Sequence, residues 1–423
     1  MPRPQSVFTA PFAVACLIVA VAACSSDSAS PPTTSAVAVK PAVIRIDDGI
    51  LKIGVLTPQG SANADIGQAI GSAVALATQK INEAGGYRGQ PVVLVPADEG
   101  VAGVGIDPAI ATLLDAGVDA IIGPASSTNA LAGLGEIVNA GVVACSPTAS
   151  ASLLDNFPDR NLFFRTIPSD SLQALAIGEA VDRTGASRAT VAYIDDTYGQ
   201  AFADSIAASL QTKGIQQTPS VPYSADNQSI RTAAANVARL AAGVVVVIGD
   251  ATSGPVMLGA IDSDEPVMQP VYVVNDAMRR PTASAEPMSV SLTKRVTGVS
   301  PVAYSTDVQF LTELGATADD PSPYAANAFD CVNLIALAAL ATKSTQPAAI
   351  AASIPAVSDS GTPCMSFADC RTDIEAGSNI NYDGPGGSVT INSKGELSAA
   401  NFEFFGFDET GRDFNKVTVP VHP

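Results

Sequence analysis

The hydrophobic pattern that can build a core begins at residue 51. "LKIGVLT" (51–57) is a short apolar run of the kind that forms a buried strand, and from Asp65 to Ala84 the residues Ile66, Ile70, Val74, Ala77 and Ile81 recur at helical spacing. Gly85-Gly86 follows, where a helix ends readily in a left-handed turn. The alternation continues with strand "PVVLVPA" (91–97), helix 107–116, strand "VDAIIG" (118–123), helix 127–140 and strand "VVACS" (142–146). Strands joined through helices cannot close as hairpins; they form a parallel sheet with both faces covered. This stretch predicts one doubly wound lobe.

The rhythm then restarts. Helix 170–184, strand "ATVAYID" (189–195), helix 199–213, strand 215–222, helix 226–241, strand "GVVVVIG" (243–249), helix 253–262 and strand "PVYVVN" (270–275) predict a second unit of the same kind. Between the two, "NLFFRTIPSD" (161–170) reads as an extended connector carrying Pro168. Beyond strand "RVTGVSP" (295–301), "YAANAFDCVNLIALAAL" predicts a long helix with Ser322 as its N-cap and Pro323 at its first position. Asn327, Asp330 and Asn333 fall on one face of it, which suits a protein core better than lipid. "NINYDGPGGSVTINSKGELSAANFEFFGFDETGR" (379–412) combines alternation with turn residues and predicts short antiparallel strands. The expected fold class is α/β with two doubly wound parallel-sheet lobes.

The first residues follow a different pattern. In "AVACLIVAVAACSSDSAS" the apolar run Ala13–Ala23 is about half the roughly 20 residues needed to cross a bilayer. With Arg3 ahead of it and small residues behind, it reads as an export signal, residues 1–23. Val21-Ala22-Ala23-Cys24 resembles the bacterial lipobox, in which the cysteine is acylated and becomes the membrane anchor. Buried acyl chains contribute roughly 0.8 kcal/mol per methylene, so two or three of them hold stably. The Ser-, Pro- and Thr-rich residues 24–47 then read as a flexible tether. The expected location is the extracytoplasmic face of the cell membrane.

Charge and chemistry narrow the function. Acidic residues outnumber basic ones 41 to 22, a formal charge of −19, so nucleic acid is not an expected partner. His422 is the only histidine, and no GxSxG, HExxH, CxxC or Walker A pattern occurs; "AGVGID" holds just the first two glycines of a dinucleotide fingerprint. No metal, cofactor or triad-type hydrolase is expected. On the oxidising side of the membrane Cys145, Cys331, Cys364 and Cys370 allow three pairings. The local pair Cys364–Cys370 is the easiest closure, and it would leave Cys145 with Cys331.

In order along the chain, "LKIGVLTP", "INEAGG", "VDAIIGPASS", "CSPTASAS", "LFFRTIPSD", "VAYIDDTYGQAF", "VVVVIGD" and "YAANAFDCVNLIALA" are similar to motifs of type I periplasmic binding proteins. The nearest branch is that of the branched-chain amino acid (Leu/Ile/Val) substrate-binding lipoproteins of ABC transporters. The resemblance implies two lobes joined by three crossovers near 166–169, 300–303 and 383–387, with lobe one at 48–167 plus 303–383 and lobe two at 168–302 plus 384–423. Ligand would be caught between them as they close.

In "GPASSTN", at a strand end facing a helix start, Ser126 and Ser127 can offer hydroxyl and backbone donors to a carboxylate, although serine there also serves as a plain helix cap. The resemblance matches Thr148 and Ser150 to positions that contact the ligand's carboxylate and amino groups, and Tyr198 to a ligand-facing tyrosine. A buried ammonium requires a carboxylate; Asp250 and Asp276 follow strands ending toward the cleft, and the family favours Asp276. The turn "TPQGSANADIG" departs from the family's commonest form, and tryptophan is absent. These departures widen the candidate ligands to polar amino acids, small amides and aromatic acids. The expected function is that of a monomeric, non-enzymatic lipoprotein that captures an amino-acid-like solute, a branched-chain amino acid foremost, for the permease subunits of an ABC importer. The alternative is a sensor of the same fold signalling to a membrane receptor.

Overall fold

The computed structural model describes residues 47–60, 63–250, 252–263, 269–279, 288–317 and 322–422; residues 1–46, with Cys24 and the expected signal and tether, lie outside them. The first sheet is built from β1 (Lys52–Thr57), β2 (Val93–Asp98), β3 (Ala120–Ile122), β4 (Val143–Ser146) and β5 (Phe163–Arg165), all parallel, in the order β2-β1-β3-β4-β5. Its helices are α1 (Ala64–Glu83), α2 (Asp107–Asp115) and α3 (Ser127–Asn139). Central strands are apolar on both faces, while edge strand β2 leaves Val93 40% exposed, as a doubly covered sheet requires. The segment expected to be a connector contributes β5, whose three residues are all buried.

The second unit runs α4 (Asp170–Asp182), β6 (Arg188–Ile194), α5 (Thr197–Thr212), β7 (Gln216–Gln217), β8 (Val221–Tyr223), α6 (Asn227–Leu240), β9 (Val244–Ile248), α7 (Ser253–Ser263), β10 (Val271–Val274), α8 (Val290–Thr293) and β11 (Val296–Pro301). The single strand expected at 215–222 is split in two around Thr218–Ser220, where Pro219 can donate nothing to a ladder. The chain then returns to the first lobe through α9 (Val308–Leu314), α10 (Ala325–Thr342), α11 (Pro347–Val357), β12 (Thr362–Cys364), α12 (Phe367–Glu375), β13 (Ile380–Gly384) and β14 (Gly387–Ser388). Finally β15 (Ala400–Phe407) and β16 (Asp413–Val421) join the second sheet antiparallel, giving the order β16-β15-β11-β10-β9-β6-β7 with β8 also on β6.

Helix α10 is long and apolar enough by composition to cross a membrane, yet every residue from Ala325 to Leu340 is buried, with α1 and α11 packed against it. It starts later than Ser322 and Pro323 suggest: Tyr324 takes a left-handed conformation (φ 61°) and donates its N–H to the Ala303 carbonyl at 2.8 Å, so the helix opens at Ala325. Cys145–Cys331 ties β4 to α10, and Cys364–Cys370 ties β12 to α12.

The third crossover lies further along than 383–387. Val389, Ile391 and Leu397 are buried in the first lobe's core, and the Arg165 N–H donates to the Gly395 carbonyl at 2.9 Å along the free edge of β5. A side chain at Gly395 (φ 80°) would meet the Phe163 carbonyl at 2.0 Å, so glycine is what allows this docking. The segment 384–399 thus belongs to lobe one, and the chain crosses at about Ser398–Ala400.

Candidate functional site

Residues beyond the carboxyl ends of strands in both sheets meet at α4, where the Asp170 N–H donates to the Ser150 carbonyl beyond β4 and Gln173 donates to Asp276 beyond β10; carboxyl ends of strands are where open α/β sheets bind ligands. Tyr198, at the start of α5, packs against the cores of both lobes and lies edge-on to Phe202 at 6.0 Å. Helix α5 also touches the turn Ser152–Leu154 of the first lobe.

Lobe one presents donors. Ser126 caps α3 by accepting from the Asn129 N–H at 3.4 Å, and its own N–H, with that of Ala125, is held by the Glu99 carboxylate at 3.1 and 2.6 Å. The hydroxyl hydrogen of Ser126 is left to give, while its N–H is committed within the protein. Thr148 donates its hydroxyl to the Ala125 carbonyl at 2.8 Å and is committed likewise. Ser127 accepts the Ala151 N–H at 3.2 Å, which leaves its hydroxyl hydrogen to give. Among the described residues no acceptor is bonded to the backbone N–H of Ser127 or Ser150, and both residues are partly exposed. Two N–H groups, of Ser127 and Ser150, and the hydroxyls of Ser126 and Ser127 are thus open to an anion at the start of α3 and the end of β4, while the Ser150 hydroxyl lies beside Asp170.

Lobe two presents acids. Asp276 follows β10, and its Oδ1 accepts from the Gln173 Nε2 at 2.8 Å; the same Gln173 amide donates to the Val299 carbonyl at 2.9 Å. Asp170 opens α4, is 1% exposed, and closes no hydrogen bond through either oxygen. Desolvation, followed by the charge of Asp276, pushes its pKa up to about 7, while the nearby Ser150 hydroxyl favours the charged form. Burial also raises Asp276, against the pull of the Gln173 amide. Tyr198 and Tyr324 are raised by burial and by both aspartates. Two cations that come near are already paired: Arg279 with Glu403 and Asp413, Arg165 with Asp155 and Glu396. Among the described residues, lobe two therefore offers carboxylates with no free cation beside them.

Asp250 does something else. It is exposed, and its Oδ1 accepts the N–H groups of Thr252 and Ser253 at 2.7 and 2.6 Å, a cap for α7. Sequence reasoning missed Asp170, Gln173 and Tyr324. The signal for Asp170 was available: an acid directly after a Pro-Ser cap where the chain changes lobe. The signal for Tyr324 was its place at the head of the most apolar helix. Its strained φ is of the kind that gathers at functional sites.

This fold and cleft define a two-lobed solute-binding protein. The chain belongs to the periplasmic binding protein family, whose model matches residues 50–395, and its fold is that of the type I members. Among curated proteins it is 30% identical over 342 residues to the chemotactic signal transduction system substrate-binding protein BasB of Halobacterium salinarum, covering 78% of this chain and 79% of the relative. It is 29% identical over 170 residues to the Leu/Ile/Val-binding protein BraC3 of Rhizobium johnstonii, 40% of this chain and 46% of that one. Among solved structures, the branched-chain amino acid transporter substrate-binding protein LivJ of Streptococcus pneumoniae, in complex with isoleucine, superposes with a TM-score of 0.65 at 19% identity, covering 88% of this chain and all of that one.

Proposed function

We propose that the protein captures a free α-amino acid in the interlobe cleft, a branched-chain amino acid foremost, and delivers it to the permease of an ABC importer while tethered through acylated Cys24. The observation that carries this reading is the division of the cleft: open donors on lobe one, the N–H groups of Ser127 and Ser150 and the Ser127 hydroxyl, against carboxylates on lobe two, Asp170 and Asp276, that among the described residues are paired with no cation. A zwitterion satisfies both halves at once, its carboxylate at the helix start and its ammonium between the acids. A plain carboxylate would leave the acids unpaired, and burying them so is costly. Tyr198 and Tyr324 supply apolar ring faces for the side chain. The names of LivJ and BraC3 support the ligand class and the transport role.

A thermal-shift panel of the twenty proteinogenic L-amino acids tests this. Leucine, isoleucine and valine should raise the melting temperature, because a ligand that binds only the folded state stabilises it. A rise with another class of amino acid would keep the capture role and remove the branched-chain assignment. A second reading, sensing, is favoured by the name of BasB. Deletion of the cognate permease distinguishes the two: uptake fails under the first reading, and a ligand response without uptake fits the second.

A further inference from the structure

The largest wholly buried side chain is Arg165, at the end of β5 where the chain first leaves lobe one. Its guanidinium donates from Nη1 to the carbonyls of Ala149 and Ala151, at 3.3 and 3.1 Å, the two residues that flank Ser150. Nε donates to both oxygens of Glu396, at 3.1 and 2.8 Å, just before the third crossover. Nη2 reaches Asp155 Oδ1 at 2.6 Å. Asp155, in lobe one, then accepts two hydroxyls from the other side of the hinge: Ser169 Oγ on Oδ1 and Ser171 Oγ on Oδ2, each at 2.6 Å. Those two serines flank Asp170, and the Asp170 N–H itself donates to the Ser150 carbonyl at 2.8 Å.

We propose that Asp155, held by Arg165, is a positioning residue that registers the first turn of α4 on the ligand loop of lobe one, and so sets the separation between the donor half and the acid half of the site. This rests on the amino-acid reading above and deepens it. The chemistry suits the task. A carboxylate with one oxygen for each serine, its charge met by a planar guanidinium, gives short, directional bonds on both sides of Asp170. The guanidinium in turn fixes both peptides around Ser150, so that one hub holds each half of the site. A helix cap alone would explain Ser169 and would not explain Ser171, whose hydroxyl points back across the hinge.

Two measurements on the whole protein test it. Ser171→Ala removes one bond at a partly exposed position, and Ser171→Thr keeps the hydroxyl. With L-leucine as the calorimetric probe, Ser171→Ala should bind about tenfold more weakly than the wild type, the loss of one charge-assisted hydrogen bond, and Ser171→Thr should recover to within about twofold. Amide hydrogen exchange without ligand is the independent arm. Ser171→Ala, on lobe two, should speed exchange of the peptide spanning residues 149–152 on lobe one, and Ser171→Thr should not. Unchanged exchange there, or equal affinities for the alanine variant and the wild type, overturns the proposal. If L-leucine fails to bind the wild type, the leucine assignment falls while the exchange arm still decides the role of Asp155.

Discussion

Under the proposed reading Asp276 and Asp170 carry the cation half of the site, and they respond differently to substitution. Asp276→Asn keeps the shape and removes the charge, so affinity for the amino acid should fall about ten- to a hundredfold, the roughly 1.5–3 kcal/mol of a hydrogen bond to a charged group, as read by calorimetry. Asp170 opposes folding when empty and serves binding when filled. Its folded pKa of about 7 lies above the roughly 3.9 of an unfolded aspartate, so the native state holds a proton that the unfolded state releases. Its contribution to stability is whole below about pH 4 and is lost as the pH rises through 7. Glu99, raised to about 7, and Asp330, raised to about 8, both by desolvation first, act in the same direction. The ligand-free protein should therefore melt lower at about pH 8 than at about pH 5.5. Asp170→Asn should raise the ligand-free melting temperature at the higher pH while weakening the ligand. A flat pH profile, or a loss of ligand-free stability in Asp170→Asn, contradicts the buried-charge account. Binding titrates the opposite way, because the ammonium requires the ionised acid: affinity should climb with pH toward 7, with a proton released on binding near pH 6 and visible as a buffer-dependent heat.

At the scale of elements, α10 joins the core to the hinge. Asp330, fully buried, accepts the Tyr382 hydroxyl at 2.8 Å and the Gly386 N–H at 3.1 Å, and Asn327 donates to the Thr166 carbonyl at 2.6 Å on the first crossover. A methyl group at Gly384 would sit 1.9 Å from Asp330 Oδ1 and 2.3 Å from the Tyr382 hydroxyl. Gly384→Ala should therefore cost about 1–3 kcal/mol of stability in urea unfolding, the penalty of a buried acceptor left without its donor. The polar face of this helix was legible in the sequence from the spacing of Asn327, Asp330 and Asn333, and so were both α/β units, because each long element has its own periodicity. The third crossover was not. "SVTI" alternates like the strands after it and "NSKGE" reads as a turn, and what assigns this segment to lobe one is the edge of β5, a neighbour far back in the chain that local pattern does not record. The same holds at the site. Ser126, Ser127, Thr148 and Ser150 were legible as turn residues, but which of them keep free donors depends on Glu99 and the Ala125 carbonyl, both supplied by other turns.

For the whole molecule, the proposed site has its two halves on different lobes, so on that reading ligand affinity and lobe closure are one equilibrium: a solute that bridges both halves favours the closed arrangement by its differential affinity for it. Small-angle scattering should show the radius of gyration falling when ligand is added, and Asp276→Asn should need more ligand for the same change. The claim beneath all of this is that the cleft reads both charges of an α-amino acid. Calorimetric titration of the protein with L-leucine, 4-methylpentanoate and 3-methylbutylamine tests that most directly, since the second lacks the ammonium and the third the carboxylate. The account predicts one-to-one binding of leucine, with each analogue weaker by about tenfold or more. Binding of either analogue as tight as that of leucine would contradict it.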